Sequence, residues 1–194
     1  MKSHLRRALV HMLLGLTIAI LGLILPRAIG LPILGFVTAV FLAIEFMRFK
    51  ARTVNLWFIR IYRPFVRHEE ASRLTGASYL LIGSLLSFLI FSKEIASIAI
   101  AFMSVADPMA GIVGRKLGKT PLLGKSLEGD LACLIFAIIT ALVYRYAGVS
   151  VPLPAVLAGA FAATIVEALA LPLNDNLTMP LVSGAIMTVI AVWI

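Results

Sequence analysis

The densest run of polar side chains in the sequence is SVADPMAGIVGRKLGKTPLLGKSLEGD, residues 104–130. Asp107 falls inside an otherwise apolar stretch, where an ionised carboxyl is costly and by default marks a functional position. The plainer alternative is a structural partner for a nearby arginine. Ala110, Gly111, Gly114 and Gly118 follow as a stripe of small residues, which lets another helix or a ligand phosphate approach the backbone closely. Helix packing alone accounts for Gly111 and Gly114, but it leaves the adjoining Arg115, Lys116 and Lys119 without a purpose.

The stretch GKTPLLGKS invites comparison with a P-loop, but the register fails. Gly118 stands one position too early for G-x-x-x-x-G-K-S/T, and the motif also needs a preceding strand of a βαβ unit. What survives is a lysine-rich loop running into Lys125, Ser126, Glu128 and Asp130 at the start of an apolar helix. Lys125 can neutralise phosphate, Ser126 can cap the helix, and the exposed amides favour an anion. Glu128, three positions beyond Lys125, could hold Mg²⁺ against that phosphate. A capping box with a carboxylate on the helix dipole explains Ser126 and Glu128 equally well when they are taken alone.

The segment LPLNDNLTMP places Asn174, Asp175, Asn176 and Thr178 between Pro172 and Pro180. Such Asx-rich stretches are often simple turns. This one carries no basic residue and follows Glu167, and oxygen ligands without a compensating cation suit a hard metal ion. His11 follows Arg6 and Arg7 at helical distances, although a lone histidine is more often structural than catalytic. Taken together, a membrane-embedded acidic set and a basic loop point to Mg²⁺-nucleotide chemistry on a lipid head group. Lysine and arginine would hold phosphates, carboxylates would hold Mg²⁺, and one acid would orient or deprotonate a lipid hydroxyl.

The elements that must position these groups are membrane helices. Of the 194 residues 61% are hydrophobic and 13% charged, against roughly half and a quarter in soluble chains. The apolar runs are continuous, which excludes secreted, cytosolic-globular and disordered classes, and the short alternating strands of a transmembrane β-barrel as well. Seven spans are expected, at 8–25, 31–49, 75–91, 95–113, 127–146, 152–170 and 179–194, giving an all-α, single-domain integral membrane protein over residues 1–194. Pro26, Pro32, Pro121, Pro152, Pro154, Pro172 and Pro180 are expected at or between helix ends. The basic start MKSHLRR resembles a signal peptide, but 8–25 is long for one and lacks a cleavage site, so it reads as the first span. The single Cys133 excludes an internal disulfide and a cysteine metal cluster.

Charge orients the spans. Fourteen Lys and Arg fall in the N-terminus and the second and fourth connections, against Arg27, Lys93 and Arg145 on the other side, which puts the N-terminus in the cytoplasm. Glu45, Glu69, Glu70, Asp107, Glu128, Asp130, Glu167 and Asp175 share the basic side, and Glu94 does not. The rule for basic residues does not require acids to follow, so a polar site facing the cytosol is expected. In 52–67, Arg52, Arg60, Arg63 and Arg67 lie within roughly a quarter of the helical wheel. Val54, Trp57, Phe58, Ile61, Tyr62 and Phe65 oppose them, a pattern for a helix lying in the membrane interface until Pro64 bends or ends it. Ala155, Gly159 and Ala163 form a small-residue ridge suited to packing within the chain or in a homodimer.

These motifs resemble the dolichol kinase, phytol kinase and CTP-dependent diacylglycerol kinase family, membrane enzymes that phosphorylate lipid alcohols. The resemblance covers nearly the whole length. It includes RRALVHMLLG at 6–15, where Arg7 stands in place of the usual lysine, and RLTGASYLLIG at 73–83. It continues through SVADPMAGIVGRKLGK with KSLEG at 104–129, where Ala106 replaces a common glycine, and ends with the Glu167-to-Gly184 spacing. It implies that Arg6, Arg7, Asp107, Gly114 and the stretch from Lys125 to Gly129 serve CTP binding and catalysis, with Mg²⁺, at the cytosolic membrane surface.

The resulting expectation is a CTP-dependent kinase moving the γ-phosphate to an isoprenoid alcohol (polyprenol, dolichol or phytol) or to diacylglycerol. Asp107, Glu128 and Asp175 are the expected catalytic and metal-holding carboxylates. Arg6, Arg7, Gly111, Gly114, Arg115, Lys116, Lys125, Ser126, Gly129, Asn174 and Asn176 are the expected nucleotide-binding set, with His11 and Glu167 in support. Membrane lipids are the surroundings, and no nucleic-acid partner is expected. A cytidylyltransferase forming a CDP-lipid is the alternative, although the Asp- and Lys-rich C-terminal signature expected of that family is absent. A non-enzymatic lipid transporter or scaffold is a further alternative, and it leaves KSLEG and NDN without a role.

Overall fold

The structure, a computed structural model, describes residues 2–62, 72–169 and 173–194. Its elements are α1 (Lys2–Ile24), α2 (Arg27–Lys50), α3 (Arg52–Tyr62), α4 (Gly76–Ile90), α5 (Lys93–Leu117), β1 (Pro121–Leu122), β2 (Lys125–Ser126), α6 (Leu127–Tyr146), α7 (Leu153–Ala168) and α8 (Asp175–Trp193). Each of the seven expected apolar segments is a helix. Five of them (α1, α2, α5, α6 and α8) are long and apolar enough to cross a bilayer. Helices α4 and α7 are apolar but have 15 and 16 residues, short of the ~20 that span hydrocarbon without local bilayer thinning.

Helix α5 is the centre of the bundle. Of its most apolar stretch 72% is buried, against 11% for α1 and 17% for α2, so the first two helices are left to face lipid. Alanines and serines make α5 narrow enough to be surrounded: Ala96, Ser97, Ala99, Ala101 and Ser104 are all fully buried. Ser97 donates to the Ala19 carbonyl of α1 and meets the Tyr144 hydroxyl of α6, both at 2.8 Å. These bonds tie three helices together where hydrocarbon offers no alternative partner. The ridge of Ala155, Gly159 and Ala163 packs inside the chain, with Gly159 closed over by Met187 of α8.

The fold is all-α as expected but for one short antiparallel hairpin, Pro121–Leu122 with Lys125–Ser126. Its two-residue turn puts Leu123 at φ 47° and Gly124 at φ 89°, the doubly left-handed pattern that closes tight hairpins. Three expectations need correction. Helix α8 begins at Asp175 rather than 179, so NDNLT is a capped first turn and not a loop. Pro32 and Pro180 lie inside α2 and α8. Each is the sixth residue of its helix, so one second-turn hydrogen bond is all that the missing N–H forfeits. The interfacial segment is helical over Arg52–Tyr62, with Arg52, Arg60, Trp57 and Ile61 exposed, but Phe58 is buried. Arg63, Phe65, Arg67, Glu69, Glu70 and Pro172 lie outside the described residues.

Phe58 is buried because Arg48 lies over its ring, 5.0 Å from the centroid. Arg48 and Glu45 are both buried, one helical turn apart on α2. Arg48 Nε and Nη2 donate to Glu45 Oε2 at 2.9 and 2.6 Å, and Nη1 reaches Asn55 Oδ1 at 3.2 Å. Nη2 also donates to the Arg73 carbonyl at 2.6 Å. Glu45 Oε1 accepts from the Thr75 hydroxyl at 2.7 Å and from the Thr75 amide at 3.4 Å. One ion pair therefore clamps the end of α2 to α3 and to the start of α4.

Candidate active site

The hairpin places Lys125 at one end of the bundle, between α7 and α8. Its Nζ donates to Glu167 Oε1 at 2.8 Å and to Asp175 Oδ2 at 3.4 Å. Glu167 is nearly buried, whereas Lys125 and Asp175 retain side-chain exposures of 28% and 26%, so the pair forms the rim of a site open to solvent. Burial works against the Lys125 ammonium, but the Glu167 hydrogen bond and the charges of Asp175, Glu167 and Asp107 outweigh it and hold the group above its ordinary value.

Asp130 forms the floor. It lies on α6 within hydrogen-bond reach of Glu167 and is 6% exposed. Among the described residues no donor reaches either of its carboxyl oxygens or Glu167 Oε2, and the two carboxyls face each other. Asp107 on α5 is half-buried and lies within electrostatic reach of Lys125, Glu167 and His11. His11 on α1 sits beside Met103, near Arg7, with a buried and unpartnered Nε2. The structure thus brings together Asp107, Lys125, Glu167 and Asp175, with His11 and Arg7 alongside. Asp130 joins them, although the sequence motifs give it no role beyond its place at the start of the helix. The signal was present, because Asp130 shares a helical face with Cys133, Ala137 and Ala141 and all four are buried.

The remaining expected residues are placed around this centre. Ser126 caps α6, its hydroxyl accepting from the Gly129 amide at 3.2 Å. The reciprocal capping box does not form. Glu128 instead accepts from the Thr120 amide at 3.1 Å and from its hydroxyl at 3.1 Å, fastening the hairpin loop to α6. A Cβ on Gly129 would stand 3.1 Å from the Ala110 carbonyl and 3.3 Å from Gly114 Cα, so at Gly114 and Gly129 the backbones of α5 and α6 approach closely. The Arg115 guanidinium lies over Gly111, and Arg6, Arg115 and Lys116 are exposed. Among the described residues, no group of three or more His, Cys, Asp or Glu side chains is arranged to hold a metal ion.

The cap of α8 links this site to the clamp. Asn174 Oδ1 accepts from the Asn176 amide at 3.1 Å, and Asn176 Nδ2 donates to the Gly76 carbonyl at 2.8 Å. Gly76 follows Thr75, which Glu45 holds. The acids Glu45, Asp107, Asp130, Glu167 and Asp175 therefore gather at one end of the bundle, as their distribution along the chain implied. At the other end, Arg27 donates to the carbonyls of Phe88 and Leu89, the latter at 3.1 Å.

Long apolar helices with a carboxylate-and-lysine cluster at one end are the features of a membrane protein with a polar site at its surface. Comparison with known proteins narrows the class. The chain is 27% identical to an uncharacterized protein of Rickettsia prowazekii over 82% of its own length and 81% of the relative's. It is 29% identical to the CTP-dependent diacylglycerol kinase 1 of Schizosaccharomyces pombe, over 75% of this chain and 74% of that one. It is 31% identical to the probable chloroplastic phytol kinase 1 of Glycine max, over 58% of this chain and 43% of the relative. The chain is thus similar to proteins named as a CTP-dependent diacylglycerol kinase and a probable phytol kinase. No protein-family model and no solved structure matches it.

Proposed function

We propose that the chain transfers the γ-phosphate of CTP to the hydroxyl of a membrane lipid alcohol, diacylglycerol or an isoprenoid alcohol, at the cytoplasmic end of a seven-span bundle. The observation that carries this reading is the meeting of Asp107, Lys125, Glu167 and Asp175 at one helix-bundle end. A hydrophilic nucleotide can reach that end from water and a lipid hydroxyl can reach it from the bilayer. Lys125, with Arg115, Lys116, Arg6 and Arg7 on the surrounding surface, would hold phosphate oxygens as charge-assisted donors. The helix starts at Ser126 and Asn174 point their first amides to the same region.

Asp107 is the group assigned to the reacting hydroxyl. The alcohol oxygen forms its bond to the γ-phosphorus, the bond from that phosphorus to CDP breaks, and the Asp107 carboxylate takes the alcohol proton. Mg²⁺ is commonly bound by one or two carboxylates plus substrate phosphates, and Asp175, partly exposed at the rim beside Lys125, is the carboxylate placed to share it with a nucleotide, since no three acids among the described residues form an all-protein site. When bound, Mg²⁺ would neutralise charge on the phosphates. Glu128, held by Thr120, would act through the loop that carries Lys125, while Asp175 stands directly at the rim.

Labelled nucleotide tests this reading. Purified full-length protein incubated with a panel of lipid alcohols should transfer label from γ-labelled CTP to the lipid. Transfer from α-labelled CTP instead identifies a cytidylyltransferase, and no nucleotide-dependent product identifies a transporter or scaffold.

A further inference from the structure

Toward the end of the bundle remote from Lys125, helices α1 and α2 part. Helix α1 leans on α5 and α2 on α4, so the two touch each other little. Between them lies a cleft of about 170 Å³, lined almost wholly by aliphatic side chains and backed by Leu81 and Phe88 of α4. The Phe88 ring lies against the bare backbone of Gly22 and closes the back wall, while Leu21 and Ile33 along the edges are exposed. From Leu14 to Leu25 the wall rises roughly 16 Å at 1.5 Å per residue, half of a hydrocarbon core of about 30 Å. The cleft therefore has the depth of one leaflet and suits a single acyl chain.

Its mouth is basic. Arg27, Lys93 and Arg145 stand apart from the other basic residues in the charge pattern, and two of these three, Arg27 and Lys93, line this cleft although they come from different connections. Arg27 Nη2 donates to the Phe88 and Leu89 carbonyls at the end of α4, the latter at 3.1 Å. That tether holds the guanidinium at the mouth and leaves Nε and Nη1 without a protein partner among the described residues. Lys93 is exposed at the first position of α5, where the helix dipole disfavours a cation, so helix stability does not account for it. Glu94 is the acid beside them, yet among the described residues no carboxylate pairs with either cation. We infer that this cleft binds an anionic phospholipid of the leaflet remote from the candidate active site, with its phosphate on Arg27 and Lys93 and one acyl chain between α1 and α2. Phosphate answers the two unpaired cations as a charge-assisted acceptor, and the chain supplies the packing that α1 and α2 lack. A neutral lipid would fill the apolar part and leave both cations unmatched. The site is separate from the cluster around Lys125 and requires no phosphate transfer.

Native mass spectrometry of the purified full chain, titrated without nucleotide with dioleoylphosphatidylglycerol or dioleoylphosphatidylcholine, tests the site. The first phosphatidylglycerol should bind about fivefold tighter than phosphatidylcholine, or more, the scale of one or two basic groups acting on an anionic lipid. Lys93→Gln should lower phosphatidylglycerol affinity by about fivefold and leave phosphatidylcholine unchanged; the exposed Lys93 has no ion pair to lose, so the fold is not at stake. A Cβ on Gly30 would touch only Leu25, at 3.6 Å, so Gly30→Phe puts a ring into the cleft. It should weaken phosphatidylglycerol binding by about tenfold or more, the worth of a few displaced methylenes. Equal affinity of the parent for the two lipids overturns the site, as does undiminished binding in Lys93→Gln or Gly30→Phe. Displacement of phosphatidylglycerol by dioleoylglycerol with equal strength in the parent and in Lys93→Gln also overturns it, because the cleft then belongs to the chain of a neutral lipid. Failure of phosphate transfer from CTP would discard the kinase and leave this lipid binding in place.

Discussion

The two buried ionic clusters at the same end of the bundle are built from the same chemistry and finished differently. At Glu45 and Arg48 every carboxylate oxygen and every guanidinium nitrogen has a partner, drawn from α2, α3, the segment before α4 and an aromatic ring. At Lys125, Glu167 and Asp130 no donor among the described residues reaches three buried oxygens, and two carboxyls face each other instead. A satisfied network in low dielectric fixes geometry, while an unsatisfied one keeps electrostatic capacity for something else. The first cluster is therefore a clamp and the second a site. The Thr75–Gly76–Asn176 contacts connect them, so the clamp sets where Asn176 and its neighbour Asp175 stand.

The contrast is sharpest in activity. Asp107→Asn should lower lipid phosphorylation by at least about a hundredfold, the scale of a lost general base, while the melting temperature in detergent stays close to that of the parent. An active, correctly folded Asp107→Asn protein would remove the centre of the proposed chemistry. The clamp should respond in the opposite way. Arg48→Ala strands a buried Glu45 and should cost about 3–5 kcal/mol of stability, read as a large fall in melting temperature. A small fall would mean that the two clusters do not differ as described.

Smaller effects refine the picture. Lys125→Ala should raise KM for CTP by about tenfold through a lost charge-assisted contact, with a smaller fall in melting temperature than Arg48→Ala, because Lys125 is partly exposed whereas Arg48 is fully buried. The pH behaviour has a definite sign. The Lys125 value is raised above its ordinary 10.5, so the contribution of its ion pairs to stability is fully present below 10.5. It is lost only as pH rises through the higher folded value. Titration of Lys125 should leave both stability and KM for CTP flat from neutral pH up to the ordinary lysine range, and a KM rising well below it would contradict the assignment. Ser126→Ala should cost about 1 kcal/mol as a lost N-cap, and its effect on turnover should be no larger than that loosening implies.

Legibility in the sequence followed the range of the interactions involved. Helices α1 to α8 were readable because apolar runs and their breaks are local, and Asp107 was readable because an acid in such a run is conspicuous. The hairpin was missed, since its two short strands carry no periodicity and only the Leu123-Gly124 turn defines it. Glu45 and Arg48 were visible as charges near a helix end, but their pairing with Thr75 spans thirty positions. Gly114 and Gly129 looked like approaches for phosphate and are also where two helices touch, because a bare backbone serves either purpose.

By itself, the sequence determined a membrane-helical chain with most of its acids and most of its basic residues assigned to one side, because hydrocarbon sorts residues by polarity and basic connections are retained on one face. Only the tertiary structure decided which of those charges are satisfied and which are not. Glu167, Asp175, Asp130 and Lys125 come from three helices and a strand, and a hydrogen bond is formed or withheld by distances of a few tenths of an ångström that no local pattern records.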